Sequence, residues 1–430
     1  MPISTTSMSG ESSTLSSRGV FHPSAGVQSD RRPTTAEVKI DLCRGLFAFF
    51  VVNAHVLMLC RALHFDQFRA LPAIVNDFIY LILENGIYWV IGFFVISGYC
   101  IHQSVERLTQ SGRFTQRFYL LARLTRVLPL YYIALLFTVV AEILSATARP
   151  PIWTDERSVR AFLCQVFGVQ NLTQTFGSFG PSWSITNELF YYLLYGFLIW
   201  LTGQKLKHSL SVGMALCIVG SSLMQLLYAS ILRTPAVLSL GLLLGLGINW
   251  FLGAIVASHS STLLQSRIVR IFARAWLPLL GLLLCGRFLD VLPSQPMFLL
   301  LGIIYALMLL NFLDEKAPKT SPLRRESWSQ LARLLGLASY PTYLFHGGMI
   351  VLSGSLIIRF HLSNDWRLTW AILTSVGIGS GILLGLVLEK PIMAWRATFL
   401  QKLKTSSFRA SEETPLATLS RSVESMEPTS

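Results

Sequence analysis

Arg44 and His55 stand eleven residues apart in one long apolar stretch. At about 100° per residue that is three helical turns plus roughly 20°, so both project from one face, about 16 Å apart along the axis. An ionisable side chain inside a bilayer is costly, and it ordinarily faces a cavity or a partner. An imidazole titrating near neutrality suits general-base chemistry there. A second apolar stretch holds Leu335-Gly336-Leu337-Ala338-Ser339-Tyr340-Pro341-Thr342-Tyr343-Leu344-Phe345-His346. His346 lies roughly 20 Å into it, close to the depth of His55. Either histidine alone could be a hydrogen-bonded core residue; two at matching depth in different spans weigh against a purely structural role.

Two further groups carry charge in telling places. Arg123-Leu124-Thr125-Arg126 puts two guanidinium groups on one helix face where a polar connection enters a span, an arrangement that grips phosphates. Its plainer alternative is ordinary positive charge at a membrane boundary. Gly180-Pro181-Ser182-Trp183-Ser184-Ile185-Thr186-Asn187-Glu188 brings a carboxylate to the edge of another span, beside aromatic residues. Such a carboxylate can orient a histidine or bind a sugar hydroxyl; alternatively it is an interfacial glutamate within a Trp/Tyr belt. The other histidines lie in polar segments or near span ends. No His/Cys pair shows metal-ligand spacing, so no metal is expected. The sequence also has no phosphate-cradling glycine loop and no nucleophile elbow.

The elements that must position these groups follow from composition. The chain has 430 residues, 52% hydrophobic and only 13% charged, with a mean hydropathy of +0.54. Soluble domains carry about 25% charged residues. Apolar stretches at 42–60, 78–100, 127–147, 188–202, 210–231, 236–257, 275–287, 296–313, 334–356 and 367–388 predict about ten transmembrane helices. The expected fold is therefore an all-α polytopic membrane bundle. The net charge is +13, and its Lys and Arg cluster in alternate connections and in the tails. That bias predicts both termini cytoplasmic and argues against nucleic-acid binding. The six cysteines form no C-x-x-C pair and read as reduced, small apolar residues. Residues 1–37 lack the apolar stretch of a signal peptide and read as a disordered tail, as do residues 399–430. Between them, 38–398 form a single transmembrane domain. The long connection from about 148 to 187 can fold over one mouth of the bundle, and no internal repeat of the transporter kind is visible.

Together these residues resemble the acyltransferase-3 family, integral-membrane acyltransferases of bacterial surface polysaccharides, lipopolysaccharides and macrolides. The likeness rests on Arg44 and His55, on Gly92-Phe93-Phe94-Val95-Ile96-Ser97-Gly98, on Arg123 and Arg126, and on Trp183, Ser184 and Glu188. It extends to Ser339, Tyr340, Tyr343 and His346, with weaker matches at Phe251-Leu252-Gly253 and Glu389-Lys390-Pro391. Pro341 and the Thr186-Asn187 pair depart from the pattern without removing a reactive group. The resemblance implies O-acyl transfer, with acetyl-CoA as donor substrate, no permanently bound cofactor, and a carbohydrate or related hydroxyl as acceptor. It implies His55, Glu188 and His346 as catalytic residues and Arg44, Arg123 and Arg126 as donor-binding ones. Trp183, Ser184, Tyr191 and Tyr343 would contact substrate. The expected location is a plasma or bacterial inner membrane. The main competing reading is a transporter or flippase for a lipid-linked saccharide, which would leave a thioester untouched.

Overall fold

A capping box opens the first helix. The Thr34 hydroxyl accepts from the backbone N–H of Glu37 at 3.2 Å, and the Glu37 carboxylate accepts from the Thr34 N–H at 2.7 Å. From there α1 runs over Thr35–Leu63. The structure is a computed structural model, and it describes residues 34–150, 156–172, 174–291, 294–314 and 322–403. Of the expected tails, residues 35–37 and 399–403 are helical; the remainder lies outside the described residues.

Two short helices, α2 (Phe65–Arg69) and α3 (Ala73–Phe78), and a π-helical turn at Ile79–Leu83 lead into α4 (Ile87–Gln110). Thr115 caps α5 (Gln116–Leu144), and Ser158 caps α6 (Val159–Val166). A 3₁₀ turn at Gly177–Ser182 enters α7 (Trp183–Leu201). The chain continues through α8 (Leu206–Ser230), α9 (Pro235–Leu263), α10 (Arg267–Arg274), α11 (Trp276–Phe288) and α12 (Ser294–Asp314). It ends with α13 (Pro322–Phe360) and α14 (Trp366–Leu384), which passes through a π turn at Gly385–Glu389 and stays helical to Leu403. All regular structure among the described residues is helical, and each of the ten forecast spans coincides with a helix.

Among the described residues, eight helical segments are long and apolar enough to cross a membrane, or nine if α10 and α11, bent by 63°, form one broken span. The remaining forecast span is α7, whose 19 residues include Asn187 and Glu188. Large side chains such as Leu136, Ile143, Leu226 and Leu383 are left exposed on outward faces, as lipid contact requires.

Helix α1 packs along α13, α4 along α9, and α13 against α14 and α5. The α4–α9 crossing is a backbone contact. A Cβ added to Gly98 would fall 1.9 Å from the Trp250 carbonyl oxygen, and one on Gly253 would fall 1.9 Å from that of Val95. Without a hydrophobic drive between helices in lipid, such close approach supplies the packing energy. The 148–182 connection is pinned by buried Glu142, whose Oε1 accepts from the Ser178 N–H at 2.6 Å. Its Oε2 lies 3.1 Å from Arg149 Nε and 3.2 Å from Arg157 Nε. Gly177 takes a φ of +46°, where a Cβ would strike the Glu142 carboxylate. The pinned turn then rests on α13, because Gly347 leaves room for the Ser178 carbonyl beside His346.

Candidate active site

His55 and His346 meet where α1 and α13 run side by side. Their ring centroids are 5.0 Å apart, and His346 Nε2 lies 3.3 Å from His55 Nδ1. Backbone carbonyls of the preceding turn fix the tautomers. His346 Nδ1 donates to the Tyr343 carbonyl at 2.7 Å, and His55 Nδ1 to that of Val51 at 2.9 Å. The His346 lone pair therefore sits on Nε2, facing His55 Nδ1–H. On His55 it is likewise Nε2 that carries the basic lone pair. A protonated His55 would keep its Nδ1–H between two acceptors, which stabilises the imidazolium.

Beside this pair, α1, α4, α7 and α13 line a partly open cavity. Arg44, Ser97, Ser184, Glu188, Tyr340 and Tyr343 supply its polar lining, and Val90, Phe93, Phe94 and Ile185 its apolar wall. Glu188 Oε1 accepts from Ser97 Oγ and from Tyr192 Oη, each at 2.5 Å. Trp250 Nε1 in turn donates to Ser97 Oγ at 3.2 Å. Arg44 reaches Asp41 only loosely, at 3.9 Å, and keeps 36% of its side chain accessible.

The cavity and the histidines are separated. Neither His55 nor His346 belongs to the cavity lining. Their common wall is Tyr343, whose ring stands 5.8 Å from that of His346 and 5.9 Å from that of Phe93. Its hydroxyl donates to the Pro181 carbonyl at 2.9 Å and lies 2.6 Å from Ser184 Oγ. Arg44 thus lines the cavity, and the Tyr343 ring stands between that cavity and His346.

The paired arginines are both engaged. Arg123 Nη2 donates to Ser104 Oγ at 2.8 Å. Arg126 Nη2 lies 2.5 Å from Glu389 Oε1, with its guanidinium 5.3 Å from the ring centre of Tyr340. Arg126 is thereby joined to the cavity through a lining residue. Of the expected substrate contacts, Ser184 and Tyr343 reach the cavity. Trp183 packs on Phe94 outside its lining, at 6.3 Å between ring centres. Tyr191 does not reach it: fully buried, it donates to the Leu243 carbonyl of α9 at 2.7 Å. The reason is helical phase. Tyr192, four residues after Glu188, shares the carboxylate's face, whereas Tyr191 is turned about 100° away. Ser97, Tyr192, Tyr340 and Glu389 carry structure at the site that spacing alone did not assign. The i, i+4 step from Glu188 could have found Tyr192.

A family model described as an acyltransferase domain matches residues 37–388. No match was found among curated proteins or among solved structures.

Proposed function

The chain belongs to the acyltransferase-3 family, and on that footing we propose that it moves an acetyl group from acetyl-CoA to a hydroxyl of a cell-surface carbohydrate. The observation that supports this chemistry best is the His55–His346 pair, with both tautomers set by backbone carbonyls.

In this reading the donor enters from the cytoplasmic face and its phosphates meet Arg123 and Arg126. The pantetheine arm lies in the cavity between Arg44 and Glu188, where the carboxylate oriented by Ser97 and Tyr192 can accept an amide N–H or an acceptor hydroxyl. The thioester reaches the histidines when the Tyr343 ring turns aside. The acceptor oxygen attacks the thioester carbonyl carbon while His55 Nε2 takes the hydroxyl proton. The new C–O bond forms, the C–S bond breaks, and the proton passes to the leaving sulfur. The products are an ester and free coenzyme A. His346 holds the His55 ring through the Nδ1–H contact and accepts part of its positive charge.

The test is purified protein given labelled acetyl-CoA and a hydroxylated acceptor. His55→Ala should abolish transfer while the protein stays folded and monodisperse. Wild-type activity in that variant rejects the assignment of the base. A chain that only moved a lipid-linked saccharide would leave the thioester intact.

A further inference from the structure

Glu389 is a carboxylate that the proposed chemistry does not use, yet it is 1% exposed and ends a π turn. Pro391 follows two residues later and cannot donate to the carbonyl four residues back. The π turn at Gly385–Glu389 widens α14 just before that gap, a device that recurs at functional sites. Gly385 lets the widened turn lie on α13, since a Cβ there would come within 3.1 Å of Ala338 Cα. Ser339 and Tyr340, the next residues of α13, line the cavity.

A buried carboxylate persists only if it is paired, and Glu389 has Arg126 at 2.5 Å. Arg126 has one nitrogen on that carboxylate and a Tyr340 ring beside its guanidinium. Two neighbours therefore hold it, and a guanidinium has further N–H donors to offer. The same extension is tied to α5 a second time. Arg396 donates to the Ala122 carbonyl, one residue before Arg123, at 2.8 Å through Nη2 and 3.3 Å through Nε.

We propose that Glu389 is a positioning residue of the donor site: it sets the Arg126 guanidinium so that its remaining donors meet a phosphate of the acyl donor. This rests on reading Arg123 and Arg126 as the donor's phosphate contacts. A purely structural Glu389 would support the fold without regard to what the donor carries. A positioning Glu389 should matter only for a donor with phosphates.

The experiment compares acetyl-CoA with acetyl-pantetheine, which lacks the phosphates, using the full chain in detergent. Glu389→Ala should raise KM for acetyl-CoA about tenfold, leave kcat within about twofold, and leave KM for acetyl-pantetheine unchanged. Glu389→Gln keeps an acceptor oxygen without charge and should show a smaller rise, which also covers poor folding of the alanine variant. Joining Glu389→Ala to Arg126→Ala should be no worse than Arg126→Ala alone. An equal rise for both thioesters, or effects that multiply in the double variant, overturns the proposal. Coenzyme A titration separates the levels. Wild-type binding with unchanged affinity in Glu389→Ala overturns this inference alone; no wild-type binding overturns it together with the donor reading.

Discussion

Two backbone carbonyls decide which nitrogen of each histidine can act. Val51 and Tyr343 take the Nδ1 protons, so the His346 lone pair points at His55. If His346 stabilises the imidazolium of its neighbour, His346→Phe keeps a ring of similar bulk but removes the acceptor. The expected result is a fall in kcat of about 10- to 100-fold with little change in KM. An unchanged kcat would make His346 a packing residue. This pairing was legible in the sequence because helical rise alone gives the depth of each histidine. The Tyr343 ring between the cavity and His346 was not. A shared face on one helix says nothing about a ring that a different helix, α13, sets at the edge of the cavity. Tyr191 and Tyr192 show the other limit, since one residue of phase, about 100°, turns a side chain from the Glu188 carboxylate to the packing face against α9.

At the scale of elements, the α4–α9 crossing depends on two glycines whose motifs the sequence displayed without revealing their use. Gly98→Ala or Gly253→Ala would put a methyl group against a carbonyl oxygen and force the helices apart, a cost of about 1–3 kcal/mol or more. Each variant should melt at a clearly lower temperature in detergent. Gly281→Ala in α11 is the control, because an added Cβ there meets nothing within 4 Å, and it should melt like the wild type or slightly higher. Equal behaviour of all three would mean that the crossing is not tightly packed. The short α2, α3, α6 and α10 were not forecast, whereas the existence of the long helices was readable from apolar length. Boundaries were less so: α5 begins at Gln116 and α13 at Pro322, each well before its apolar stretch, because polar turns extend both helices beyond the apolar core. The α14 π turn was also hidden, since Pro391 signals a break but not the side chain that the break presents.

For the whole molecule, parity turns on α7 and on the broken α10–α11 pair. With α7 and the broken α10–α11 pair both crossing, the eight other spans make ten, and the two termini share a side. If only one of the two crosses, they lie on opposite sides. Protease protection of tags at each end, in sealed inverted and right-side-out vesicles, should find both tags in the cytoplasmic compartment. Tags on opposite sides would mean that one of the two, α7 or the broken α10–α11 pair, enters and leaves by the same face. The Tyr343 partition has a consequence for economy of the donor. If the donor binds as proposed, a thioester lodged near Arg44 lies across the Tyr343 ring from His346 while that phenol rests on Pro181 and Ser184, so an idle enzyme should lose little of it to water. Tyr343→Ala, by removing the partition, should turn the protein into a leaky thioesterase that consumes donor with no acceptor present.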